Sequence, residues 1–376
     1  MDNSQEIINT IALTRINYFS LAGMLELYRR LGSATAVMDH RDDIRDVLPD
    51  ATQRLIDALK DVSEPLRRAE AELEYDEAHG IIPLAMNDTR YPSRLRECDD
   101  APLMLFYKGT ADLNRARVLS IVGTRQCTSY GQGLIRRFCD DLRQICPDVL
   151  IISGLAYGVD ICAHRNALRS GFDTAAVLAH GLDTIYPSSH RDTAREMLTR
   201  GGLITEFLTG TNADKVNFVR RNRIVAGMAD ATLLIESASH GGGLITTGIA
   251  QSYGRDVFAF PGAVGMTYSE GCNNLIRDNG AALITCAADL AAAMTWDNDS
   301  ALRDARQQGI ERQLFPELTD DEQLIVSTLA KTNDMQINML AVRTGIPVQR
   351  MSALLFSLEM KGVVRMYAGG TYHLLQ

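Results

Sequence analysis

Four cations and one aromatic ring fall within nine residues of this chain, KVNFVRRNR: Lys215, Phe218, Arg220, Arg221 and Arg223. The next residues, Ile224 and Val225, are apolar, so the cations gather where the chain enters a core. Cations that track a phosphate backbone beside a ring that stacks on a base suit single-stranded nucleic acid. The same spacing also suits an amphipathic helix start whose arginines pair with the chain's many carboxylates. On spacing alone the two readings stand level.

Two glycine turns offer related chemistry. IVGTRQCTSYG (121–131) and SHGGGLITTG (239–248) each read as a strand-to-helix turn. There, unpaired amides and the helix dipole face an anion. Arg125 stands at the exit of the first strand, where a cation favours an anion contact. Neither turn carries GxGxxG or GxxxxGK[ST], so no nicotinamide, ATP or other cofactor is expected. In SGLAYGVDICAH, Asp160 and His164 lie one helical turn apart, but no third ligand accompanies them. A capping carboxylate and a hydrogen-bonded histidine are the expected roles, His190 is read in the same way, and no metal or catalytic residue is assigned.

The elements that must position these residues show in the apolar pattern. From about residue 80, short apolar runs ending in glycine alternate with helical stretches: VLSIVGTR, DVLIISGLAYG, TAAVLAHGLD, GGLITEF, ATLLIESA, DVFAFPG and AALIT. Nearly continuous apolar strands between helices predict an α/β domain whose parallel sheet is covered on both faces. Ligands in such sheets collect at the carboxyl ends of the strands, where the glycine turns lie. Before it, residues 5–78 read as helices only: IINTIALTRI, LAGMLELYRRLG with Gly32 as a stop, ATQRLIDALKDV and PLRRAEAELEYDEAHG. After it, residues 296–318 read as a polar linker. Three helices (DEQLIVSTLAK, INMLAVRTG and PVQRMSALLFSLEMKG) and a hairpin around Gly369-Gly370 then predict a winged helix-turn-helix.

Composition limits the partners. The chain has 376 residues, 46% of them hydrophobic, and a formal net charge of −9. That length favours two or three domains, and that charge excludes coating a polyanion with the whole surface, so a nucleic-acid site must be a local patch. The tail from Gln323 onward carries Lys331, Arg343, Arg350, Lys361 and Arg365 against Asp334 and Glu359, a net +3 that suits DNA and protein partners alike. Seven cysteines without a CxxC pair read as reduced thiols in a cytoplasmic protein. The start MDNSQEIINT lacks the pattern of a signal peptide, and no apolar run is long enough to span a membrane.

Taken in order, YPSRLRECDDAPLMLFYKG, SIVGTRQCTSYG, SGLAYGVDICAHRNAL, GLDTIYP, FVRRNRIVAG, GGGLITTGIAQSYGRDVFAFPG and GCNNLIRDNGA closely resemble the DprA/Smf family of DNA-processing proteins over about residues 90–290. The resemblance implies a Rossmann-like DNA-binding domain (79–295) between a helical, sterile-alpha-motif-like domain (1–78) and a winged-helix domain (319–376), with 296–318 as linker. It implies a homodimeric recombination mediator that binds single-stranded DNA during natural transformation. Such a mediator loads a RecA-type recombinase, also onto strands covered by single-strand-binding protein. Carried over by position, Arg125, Lys215, Phe218 and Arg223 match family positions implicated in DNA contact, with Arg221 and Gly241, Gly242 and Gly243 as weaker matches. Where the family commonly has Ser-Gly-x-Leu, this chain has Gly241-Gly242-Gly243-Leu244, which loses a hydroxyl and keeps the amides. The rival reading is a nucleotide-cleaving phosphoribohydrolase of the lysine-decarboxylase-like family, whose PGGxGTxxE glutamate has no counterpart in HGGGLITTGIAQ. A transcription regulator acting through its tail alone leaves the sheet domain without a role.

Overall fold

The computed structural model describes residues 3–16, 21–296, 318–333, 335–361, 363–367 and 371–374. The chain divides into two compact units, Met1–Ser300 and Ala301–Gln376. Most of the stretch read as a polar linker, and the Gly369-Gly370 turn, lie outside the described residues.

The first unit opens with α1 (Asn3–Arg15), α2 (Leu21–Leu31), α3 (Ala34–Asp39), α4 (Ile44–Val47), α5 (Gln53–Leu59) and α6 (Ser63–His79). Gly32, at φ +86°, follows α2 as the pattern requires. The short α3 and α4 carry too few turns to show a period. Buried Glu6 on α1 accepts from the Ala34 and Thr35 amides at 2.9 Å each, which fixes the start of α3.

Nine strands then form one sheet. They are β1 (Ile82–Ala85), β2 (Met104–Gly109), β3 (Arg117–Val122), β4 (Val149–Ser153), β5 (Asp173–Val177), β6 (Gly201–Thr205), β7 (Ala231–Leu234), β8 (Asp256–Ala259) and β9 (Ala282–Leu283). Their spatial order is β1-β2-β6-β5-β4-β3-β7-β8-β9. All seven runs picked from the sequence are strands of its parallel part, β3 to β9. The sequence pattern did not isolate β1 and β2, which add antiparallel to the β6 edge. Between the strands lie α7 (Ser93–Arg96), α8 (Ser129–Ile145), α9 (Val159–Ser170), α10 (Arg191–Met197), α11 (Lys215–Gly227), α12 (Gly242–Ser252) and α13 (Thr267–Arg277), and α14 (Ala287–Ala293) follows β9. One core on one side of the sheet joins α1–α6 to β1, β2 and α11, while a second packs α8, α9 and α14 on the other.

The chain runs outward from β3 through β4 and β5 to β6, then returns across α11 to place β7 on the other side of β3. Adjacent loops therefore leave β3 and β7 in opposite directions. This is the switch point at which open α/β sheets form a crevice.

The second unit consists of α15 (Asp320–Lys331), β10 (Met335–Gln336), α16 (Ile337–Thr344), α17 (Val348–Met360), β11 (Val364–Tyr367) and β12 (Thr371–Leu374). Its sheet order is β10-β12-β11, antiparallel throughout, over a core of Ile325, Leu329, Leu340, Met351, Leu355 and Leu358. This is a winged helix. Thr319 and Glu322 form a capping box at α15, and Glu322 also accepts from Lys361 Nζ at 2.7 Å and Ser357 Oγ at 2.7 Å. None of the seven cysteines is joined in a disulfide. Among the described residues no helix is long and apolar enough to cross a membrane.

Candidate nucleic-acid interface

The crevice at the switch point is a cleft of about 400 Å³. The turn after β3, the segment after β4, the exposed face of α11 and the start of α12 form its walls.

The β3 turn is tied down on both sides. The Thr124 amide donates to the Glu236 carbonyl at 2.8 Å, and the Thr124 carbonyl accepts from the Val159 amide at 3.1 Å. Buried Glu236 accepts from the Thr128 amide (2.8 Å) and hydroxyl (2.6 Å). These bonds leave Arg125 exposed at the crest of a fixed turn. Opposite it, α12 begins at the cap residue Gly241. A Cβ on Gly243 would lie 2.7 Å from Leu234 Cδ1 and 3.0 Å from Gly123 Cα, so a side chain there would hold the helix off the sheet. Glycine lets the start of α12, with its orphan amides and positive dipole end, reach the floor of the cleft. The hydroxyl missing at position 241 leaves these amides in place.

Asp214 caps α11, accepting from the Asn217 amide at 2.7 Å. From there Lys215, Phe218, Val219, Asn222 and Val225, at helical spacing, turn one face to the cleft. Lys215 is exposed and Phe218 partly buried. The Arg125 guanidinium lies over the Phe218 ring, 4.8 Å from its centroid, and that of Arg221 lies 5.8 Å away. Arg221 is itself buried, and Nη1 donates to the Gly154 carbonyl at 2.6 Å and to the Val177 carbonyl. It thus closes the ends of β4 and β5, and a Cβ on Gly154 would fall on its guanidinium. Burial lowers its pKa to about 10, against the pull of Asp160, and it stays charged at neutral pH.

The structure therefore brings Arg125, Lys215, Phe218, Arg221 and Gly241 to Gly243 into one cleft. Arg223 is not among them. It is buried on the adjacent strip of α11, where Nη2 donates to buried Glu206 at 2.6 Å and Nε stands 3.9 Å from Asp100. Arg220 reaches the same Glu206 at 3.0 Å. The arginine cluster is thus divided between two strips of the helix. Arg220 and Arg223 pair with a carboxylate, while Lys215 and Arg221 serve the cleft.

Asp160 and His164 also part company. His164 is buried, its Nδ1 is 2.7 Å from Thr174 Oγ1, and burial and nearby Arg221 lower its pKa to about 3, so it is a neutral core histidine. Asp160 lines the cleft, which the sequence did not disclose. Burial raises its pKa, opposed by Arg221 and by the backbone of Ala156 and Gly154. Among the described residues no group of three His, Cys, Asp or Glu could hold a metal ion.

Comparison with known proteins follows the same lines. The sequence model described as DNA recombination-mediator protein A matches residues 83–295, and the DprA winged helix domain matches residues 311–370. Protein Smf of Escherichia coli (strain K12) is 33% identical over 353 residues, covering 91% of this chain and 90% of the relative. DNA processing protein DprA of Streptococcus pneumoniae is 37% identical over 205 residues, 54% of this chain and 71% of that protein. The X-ray structure of DprA from Streptococcus pneumoniae superposes with a TM-score of 0.63 at 28% identity, covering 76% of this chain and 97% of that one. DNA processing protein A of Helicobacter pylori, solved for its single-stranded DNA binding mode, gives 0.52 at 25% identity, over 58% of this chain and 96% of that one.

Proposed function

The chain belongs to the DprA/Smf family, and from that premise we propose that it binds single-stranded DNA in the cleft at the β3–β7 switch point as a recombination mediator. The supporting observation is the convergence on one crevice of two exposed cations, Arg125 and Lys215, the Phe218 ring and the start of α12. Cations and helix amides suit phosphates, and a ring suits an unpaired base. A duplex keeps its base faces stacked away, so the same cleft favours a single strand. The Helicobacter pylori relative's own description as a single-stranded DNA binder agrees with this reading.

The mediator acts as a homodimer that hands the bound strand to a RecA-type recombinase, including strands covered by single-strand-binding protein. It is a binding protein and not a hydrolase. Helix α12 carries no carboxylate, and the single acid among the described cleft residues, Asp160, faces Arg221.

Fluorescence anisotropy with labelled single-stranded and duplex DNA across a salt series tests the binding step. Tighter binding of the single strand is expected, falling with salt at a log–log slope of about −0.7 per phosphate neutralised. Equal affinity for both forms, or a flat salt response, overturns it. The hand-over is read from recombinase filament assembly on a strand precoated with single-strand-binding protein, and the dimer from light scattering.

A further inference from the structure

Two aromatic side chains at the cleft remain without a task. Tyr157 lines it, and Tyr186 packs against Phe218 with ring centroids 6.0 Å apart and planes tilted by 57°. Each tyrosine is about half exposed, at 49% and 50%. Such exposure leaves a large apolar ring in water beside the cations Arg125 and Lys215.

Neither tyrosine is loosely held. Tyr157 meets buried His190 edge to face, with centroids 5.0 Å apart at 72°. His190 in turn is anchored by Nδ1, which donates to the Leu155 carbonyl at 2.8 Å. The Tyr186 amide donates to Nε2 of buried His180 at 3.2 Å, while Nδ1 of His180 donates to the Gly181 carbonyl at 2.8 Å. That pattern fixes a neutral tautomer for His180, and burial, the main cause, lowers its pKa. Two histidines inside the fold therefore hold two tyrosines at its surface. Preset rings lose little freedom when a flat partner stacks on them, because a tyrosine has only two side-chain torsions to fix.

We propose that Tyr157 and Tyr186 extend the base-stacking surface beyond Phe218, so that the cleft takes consecutive unpaired nucleobases while Arg125 and Lys215 hold phosphates. The proposal rests on the single-strand reading of the cleft and adds the rings that touch the bases. Its occupant follows from complementarity: a single strand carries anionic phosphates beside flat aromatic faces, and this cleft sets cations beside rings. Stacking on a ring accepts any base, so binding is tolerant of sequence.

The test uses the full chain, an oligothymidylate and an abasic strand of equal length. Tyr157→Leu and Tyr186→Leu should each weaken binding of the oligothymidylate by roughly 5- to 150-fold, the range of one base–aromatic stack. Both should bind the abasic strand as the wild-type protein does. Tyr157→Phe and Tyr186→Phe, which keep the ring, should recover most of the lost affinity. Tyr130→Leu, an exposed tyrosine outside the cleft whose hydroxyl donates to the Pro261 carbonyl, controls for loss of a surface ring. Circular dichroism first establishes that each variant is folded. If both leucine variants bind oligothymidylate normally while Phe218→Leu and Lys215→Ala do not, the tyrosines are not stacking residues and the cleft reading survives. If Lys215→Ala and Phe218→Leu also bind normally, the strand lies elsewhere and both readings fall.

Discussion

Arg220, Arg221 and Arg223 are nearly adjacent, yet α11 turns about 100° per residue and sends them to different neighbours. Arg223 and Glu206 are buried together, and Arg223 Nε and Nη1 have no hydrogen-bond partner among the described residues. Removing Arg223 takes the buried partner from Glu206 and leaves that carboxylate the half-exposed Arg220 guanidinium in a poorly hydrated place. Arg223→Met should therefore cost roughly 3 kcal/mol in urea unfolding and leave the salt slope of DNA binding unchanged. Lys215→Ala should do the reverse, keeping stability and flattening the slope by about 0.7. A stable Arg223→Met with a flattened slope would mean that Arg223 leaves Glu206 to meet phosphate. Asp76 on α6 gives a second residue-scale prediction. Both its carboxylate oxygens are buried without a hydrogen-bond partner among the described residues, and burial together with Glu72 raises its pKa to about 8, against Arg68. Between about pH 4 and 8 the folded chain holds a proton there that the unfolded chain has released. Stability contributed by that proton is complete below about pH 4 and lost as pH rises through 8. In a thermal series Asp76→Asn should raise Tm above the wild type's by a margin that widens from pH 5 to 8. A constant difference would show that Asp76 is ionised throughout.

At the scale of elements, the cleft depends on how closely α12 approaches β3. Gly243→Val places methyl groups where Leu234 and Gly123 already stand, so the helix start must lift. Overpacking of this kind costs roughly 1–3 kcal/mol, and moving the amides should weaken single-strand binding at the same time. Gly248→Ala, farther along α12 with nothing within 4 Å, should gain up to about 1 kcal/mol from helix propensity without affecting binding. Unfolding and anisotropy on the two variants check both halves. Legibility in the sequence divides along similar physical lines. The parallel strands showed because burial on both faces makes them continuous apolar runs such as VLIIS and ATLL. IPLA is four residues long with a proline inside, and MLFYKG ends in lysine and glycine, so neither antiparallel strand stood out. Residues 218 and 221 face the cleft and 220 and 223 turn away, a spacing that was present in the sequence. What chose between the strips was not, because Glu206 arrives from the loop after β6 and only folding brings it to α11.

For the whole molecule, the division into Met1–Ser300 and Ala301–Gln376 raises the question of which unit carries the affinity. The tail's net +3 overstates what it offers to DNA. Lys361 is drawn onto Glu322, and Arg350 pairs with Asp321. The exposed residues of α17, the helix that winged folds commonly place in the major groove, include Val348, Phe356 at 66% and Met360 at 75%. A helix with that face and one arginine offers little charge to a phosphate backbone. Arg125, Lys215, Phe218 and the start of α12 all belong to the first unit. A chain ending at Ser300 should therefore fold, because β1–β9 and their covering helices are complete without the tail. It should also keep single-strand affinity within about threefold of the full chain, the effect of roughly 0.7 kcal/mol, with the same salt slope. Circular dichroism followed by an anisotropy titration measures both. If the folded truncation loses binding while Lys215→Ala and Phe218→Leu in the full chain bind normally, the winged helix is the DNA site. The cations and ring of the cleft would then need another anionic, flat ligand to account for them.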